Sequence, residues 1–160
     1  MPLNEIVKLG DPRLLEKSLP VEPEEIEKLM QDIEKMWRLI REFREAYGRG
    51  RAIAAPQTGV MKRIICIDTG TKYALINPVI EIIGDETMEV WDDCMSFPNL
   101  LVRLNRYRKI RIRFLDLKWT ENVWELEDDM SELLQHEYDH LDGILAIMRA
   151  KDINSLKWVE

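Results

Sequence analysis

Between positions 26 and 43, apolar residues recur at Ile26, Leu29, Met30, Ile33, Met36, Trp37, Ile40 and Phe43. Steps of three and four place them on one stripe of an α-helix. Pro23 stands where such a helix starts, and Glu24 and Glu25 follow it at the positive end of the helix dipole. Gly48 and Gly50 end it. Ahead of the helix, residues 1–22 hold three prolines and read as an extended arm with turns. After the glycines the pattern changes to short strand-like runs at 63–68, 73–77, 79–83, 89–91, 101–103, 110–115 and 123–126, with clear period-two alternation in 110–115. A second helical segment runs from about Asp129 to Leu141 and ends near Gly143. Strands bracketed by two helices, without β-α-β alternation, predict an α+β fold: a mostly antiparallel sheet around a central second helix, with a long N-terminal helix. No repeat, low-complexity segment or linker divides the chain, so residues 1–160 are expected to form one catalytic domain.

Composition narrows the partners. An apolar fraction of 46% with five Trp belongs to a folded globule rather than a disordered chain. A net charge of −7 disfavours a nucleic acid backbone. The basic residues Arg103, Arg106, Arg108, Lys109, Arg111 and Arg113 alternate, which reads as the wet face of a strand. No apolar stretch approaches the roughly 20 residues of a membrane span. The stretch MPLNEIVKLGDP lacks the basic start and apolar core of a signal peptide. A cytoplasmic protein is therefore expected, with neither nucleic acid nor membrane as a partner. Cys66 and Cys94 are too few for a disulfide framework. Nothing in the sequence specifies an oligomeric state.

The candidate chemistry sits in the second helix. In His136-Glu137-Tyr138-Asp139-His140 the two histidines are four residues apart, on one helical face, so both imidazoles can reach one ion. Glu137, beside the first histidine, can take a proton from water made acidic by that ion. They are the only two histidines in the chain. A catalytic site of this kind needs a third ligand and one open position. Cys94, in a turn-like break between strands, is the best candidate, and a thiolate with two imidazoles suits iron, zinc, cobalt or nickel. Cys66 lies in an apolar run and reads as a packed thiol. Asp139 and Asp142 fit orienting or capping roles better than ligation. In Gly50-Arg51-Ala52-Ile53-Ala54-Ala55-Pro56-Gln57 the small residues let a ligand approach the backbone, and Gln57 can donate to a developing oxyanion.

Taken together, GRAIAAPQ, DDCMS and QHEYDH resemble the ordered motifs of the peptide deformylase family, GxGLAAxQ, EGCLS and QHExDH. Residues 6–13 resemble that family's N-terminal arm, and 109–116 the strand after its cysteine. The resemblance implies an α+β metallohydrolase that removes the formyl group, most simply from N-formylmethionyl peptides. It implies one divalent metal, natively ferrous iron, with Zn2+, Ni2+ or Co2+ as alternatives. Cys94, His136 and His140 would be the ligands, Glu137 the proton carrier, and Gln57 with the backbone N–H of Met95 the oxyanion donors.

Three departures bear on substrate. Ala52 and Asp93 replace glycines of the family pattern, and Asp92 replaces a glutamate, in stretches where Gly50, Arg51, Ala52 and Asp93 pass close to substrate. The family lines its methionine pocket with apolar residues, and the matching positions here are Arg51, Val90, Asp129, Glu132 and Leu133. Asp129, Glu132, Leu133, His136 and His140 share one helical face. Two readings follow. Asp129 caps or complements the helix start while Glu132 faces water. Alternatively, Arg51, Asp129 and Glu132 form a polar pocket for a different, polar formylated compound. A non-catalytic metal- or peptide-binding module is the third possibility, and the presence of both Glu137 and Gln57 counts against it.

Overall fold

The computed structural model describes residues 2–160. Helix α1 spans Ile26–Tyr47 and ends at Gly48, whose φ of 73° is the left-handed conformation glycine adopts without a Cβ clash. The chain enters it through a 3-10 turn at Pro23–Glu25, where the Glu25 carboxylate accepts from the Glu22 N–H at 2.9 Å. Helix α2 spans Asp129–Leu141. Eight strands lie between and after them: β1 Ala52–Ala54, β2 Ile64–Asp68, β3 Lys72–Ile82, β4 Thr87–Asp92, β5 Leu100–Tyr107, β6 Lys109–Leu115, β7 Glu121–Glu127 and β8 Leu156–Trp158.

The strands form two sheets. The larger runs β1-β2-β3-β6-β7 and the smaller β4-β5-β8, with every named pairing antiparallel. One parallel bridge, Leu19 to Lys62, ties in the N-terminal arm. The antiparallel α+β reading stands, divided over two sheets rather than one. Residues 73–77 and 79–83, read as two strands, belong mostly to one strand, β3, whose register shifts between Ile76 and Val79. The interruption in the sequence pattern is that irregularity: Asn77 has a φ of 49° and Pro78 cannot donate to the ladder. The Asn77 side chain replaces the missing partner by bonding both the N–H and the C=O of Val21.

The large sheet lies between the two helices, and β2 shows why. Ile64 and Cys66 pack with Ile33, Met36, Ile40 and Phe43 of α1, whereas Ile65 and Ile67 pack with Leu134 and Leu141 of α2. A strand covered on both faces needs apolar residues at consecutive positions, as IICI provides. Each side chain so buried contributes about 1.5–3 kcal/mol. Strand β6 is covered on one face only. Ile110, Ile112 and Phe114 are buried toward α2, while Lys109, Arg111 and Arg113 pair with Glu127, Glu125 and Glu121 of β7.

For Arg106 the wet-face reading is wrong. On β5 its side chain is only 2% exposed and lies between Asp92 and Asp139. Strand periodicity assigns a face, but the inner face of β5 meets α2 rather than solvent.

The N-terminal arm fastens the site-bearing segments together. The Val7 N–H donates to the Gln57 carbonyl at 2.7 Å, Leu9 to Ser96 at 3.0 Å, and Ser18 to Leu141 at 2.8 Å. Those carbonyls lie on, or next to, all three motifs.

Candidate metal centre

Three chain segments meet beside α2. The helix supplies His136 and His140, one turn apart with ring centroids 5.0 Å apart. The turn after β4 supplies Cys94, and the 3-10 turn at Ala55–Thr58 supplies Gln57. The donor atoms of Cys94, His136 and His140 lie within 4.8 Å of one another, and all three residues are buried. Cys94 Sγ stands 3.4 Å from His140 Nε2. His136 Nδ1 lies 3.1 Å from Asp92 Oδ2, an arrangement that holds the ring and leaves Nε2 toward the other ligands.

The electrostatics suit a cation here. Burial lowers His140 well below the usual histidine range, and the neighbouring His136 and Arg106 charges lower it further, so its ring is the neutral form that binds metal. Burial also opposes a charge on His136, but Cys94 and Asp92 outweigh it and raise this residue. Surroundings that favour a proton on His136 favour a metal cation in the same place. Asp92 is itself resisted by burial, yet His136 and then Arg106 hold it below the ordinary carboxylate range. The Glu137 side chain is buried and its Oε2 has no partner among the described residues. Burial raises Glu137 to about 7, with His136 opposing. A soft thiolate, two imidazoles and an unpartnered buried carboxyl fit a single divalent ion with a reactant beside it.

Gln57 is held by its own turn. Its Oε1 accepts from the Ala54 N–H at 2.9 Å, which aims Nε2 at Cys94 Sγ (3.5 Å) and Ser96 Oγ (3.2 Å). Both partners belong to the cysteine turn, so the Gln57 amide N–H points into the site beside Cys94.

A cavity of about 140 Å3 opens on the ligands. Gly50, Arg51, Ala52, Asp93, Glu132 and Leu133 line it, as do Met95 and Glu137. Two expected pocket residues stand elsewhere. Val90, on the same face of β4 as Asp92, packs against the Cys94, Phe97, Val102 and Leu104 cluster. Asp129 is outside the lining and largely exposed, paired with Arg51 through both guanidinium nitrogens. The residue before α2 is Asp128, which caps nothing with its side chain and pairs with Arg108. Glu132 lines the cavity instead of facing bulk water.

Sequence reasoning missed three participants. Arg106 donates to Asp92 through Nε and Nη2 and to Asp139 through Nη1 at 2.7 Å, joining β5 to the ligand helix. Arg149 completes Asp139 with two bonds of 2.6 and 2.9 Å. Arg49 bonds Asp93 at 2.8 Å and caps the Pro98 carbonyl. Asp93 thereby has a cationic partner, which is how a charged side chain is accommodated beside the ligand. Asp142 is taken up by Arg63 at 3.0 Å. The signal available for Arg106 was an aspartate in the middle of the second-helix motif that needed a buried counter-charge.

Comparison with known proteins gives the same picture. The polypeptide deformylase family profile matches residues 3–155. A peptide deformylase of Heliobacterium modesticaldum is 34% identical over 158 residues, covering 96% of this chain and 98% of the relative. One from Natranaerobius thermophilus is 41% identical over 111 residues, covering 68% and 70%. Among solved structures, the peptide deformylase of Thermotoga maritima superposes with a TM-score of 0.83 at 32% identity, over 92% of this chain and 97% of that one. The peptide deformylase of Synechococcus elongatus, in complex with actinonin, gives 0.85 at 26% identity over 94% and 80%.

Proposed function

Since the chain belongs to the polypeptide deformylase family, we propose that Cys94, His136 and His140 hold its single divalent metal and that Glu137 carries the proton of the reaction. The family activity is hydrolysis of the N-formyl amide at the start of a peptide, which consumes water and yields formate and a free amine. A metal held by Cys94, His136 and His140 would supply Lewis acidity toward the formyl group and toward water.

The chain's own residues supply the rest. Glu137, next to His136 and without a hydrogen-bond partner on Oε2, takes the proton released as water adds to the formyl carbon. It returns that proton to the departing nitrogen, so one carboxyl serves as base and then as acid. Burial raises Glu137 above the ordinary carboxylate range, which makes it a stronger base than an exposed glutamate. Gln57 Nε2 and the backbone N–H of Met95 donate to the oxygen that becomes negative in between. Asp92 fixes the His136 ring, and Arg106 fixes Asp92. Ferrous iron is our choice of native ion, on the family resemblance, and zinc, nickel or cobalt would accept the same donors. A cytoplasmic location fits a substrate at the start of new polypeptides.

The observation that carries this reading is the buried carboxyl without a partner, beside three buried donors that converge on one point. Glu137→Gln keeps the shape and removes the base. Its metal content, measured by elemental analysis, should match the parent, and formate release should fall about 10²–10⁴-fold. Undiminished formate release with full metal would remove Glu137 from the role.

A further inference from the structure

The cavity beside the ligands is too close to the reacting centre to be ignored by the substrate. Its formyl carbon must reach the metal ligands and Glu137, and the first side chain branches only two bonds beyond the formyl nitrogen. That side chain therefore enters the space bounded by Phe43, Met95, Leu133 and Glu132. Phe43, Met95 and Leu133 offer an apolar wall. Glu132 does not.

Apart from Glu137, the other charged side chains at this cavity are matched: Arg49 with Asp93, Arg51 with Asp129, and Asp92 with Arg106 and His136. Glu132 has no Lys or Arg partner among the described residues. Glu132 lines the cavity beside Glu137. A thioether cannot donate a hydrogen bond to Glu132, and covering its carboxyl with an apolar group leaves it desolvated and unsatisfied.

We propose that Glu132 sets substrate choice at this site, selecting formylated amino-terminal residues whose side chain is an apolar stem ending in a hydrogen-bond donor. The stem lies along Phe43, Met95 and Leu133, and the head bonds the Glu132 carboxyl. Lysine- and glutamine-like side chains have this form; methionine and norleucine have the stem alone. The inference rests on the deformylase reading for its chemistry, and on the lining of the cavity for its specificity.

The test is formate release by the metal-loaded enzyme from formyl-Lys, formyl-Gln, formyl-Met and formyl-norleucine dipeptides that are otherwise identical. Norleucine is the lysine stem without its ammonium. The parent should prefer the donor-bearing pair by about tenfold or more in kcat/KM, mostly through KM. Glu132→Leu should lose or reverse that preference, and Glu132→Gln, which keeps an acceptor, should retain it. Equal or better turnover of the Met and norleucine substrates by the parent would overturn the proposal, as would a preference that survives Glu132→Leu. Absence of formate from all four would count against deformylation itself. Calorimetric binding of the four deformylated dipeptides would then still decide the cavity's preference: tighter binding of the Lys and Gln products, lost in Glu132→Leu, supports the inference, and uniform binding refutes it.

Discussion

Replacing Arg106 with Met tests the link between the fold and the metal ligands. The Arg106 side chain is 2% exposed, and its partners Asp92 and Asp139 are 5% and 10% exposed. Methionine fills much of the same volume without charge. It leaves Asp92 with His136 alone and Asp139 with Arg149 alone. Breaking a buried ion pair from one side costs about 3–5 kcal/mol, because the remaining charge stays desolvated. Taking about 4 kcal/mol, and about 2–4 °C per kcal/mol for a domain of this size, the melting temperature should fall by about 8–16 °C. Circular dichroism melts of the metal-loaded proteins measure this directly. The double variant Arg106→Met/Asp92→Asn should recover part of the loss, since one uncompensated charge is gone. A single variant that melts within about 2 °C of the parent would refute the argument that the buried guanidinium holds β4, β5 and α2 together.

Other consequences can be checked separately. Asp92→Asn alters the group that orients His136, and metal affinity should drop about 10–100-fold in a competition with a chelator; unchanged affinity would mean that the helix alone positions the ring. Gly143→Ala should destabilise the fold by about 1–3 kcal/mol in urea titrations, because φ is +72° and the new Cβ would lie 2.5 Å from the Leu15 carbonyl oxygen; a neutral outcome would show that the arm is not packed against α2 as described. Burial, then Asp92 and Asp129, raise Glu132 to about 8 from an ordinary 4.5, with Arg106 opposing. The folded state therefore holds an extra proton between those values, and stability falls as pH rises through that window. Glu132→Gln removes this loss, so its melting temperature should gain on the parent's between about pH 5 and about pH 8.5; a constant difference would contradict the shift.

Much of the site could be read from residue order. The i, i+4 spacing of His136 and His140 is a local property of a helix, and it holds whatever packs around it. The same is true of the α1 stripe, which is buried as the spacing implies, although Leu39 is buried too and falls outside it. Three ordered motifs identified a family because each carries chemistry that few other folds require. The meeting of Cys94 and Gln57 with the helix was an expectation from resemblance, since 37 residues separate Gln57 from Cys94 and 46 separate Cys94 from His140.

Tertiary structure decided what long-range electrostatics depends on. Period two told which residues of β5 share a face with Arg106, and could not tell that α2 covers that face. A charge pattern likewise does not reveal its partners: Asp93 is taken by Arg49, and Asp129 leaves the cavity for Arg51. Glu132, from the same turn of the same helix, lines the cavity without a Lys or Arg partner among the described residues. Helical spacing is a geometric constraint within one element and survives in the sequence, whereas pairing and burial are sums over elements that only the folded chain brings together.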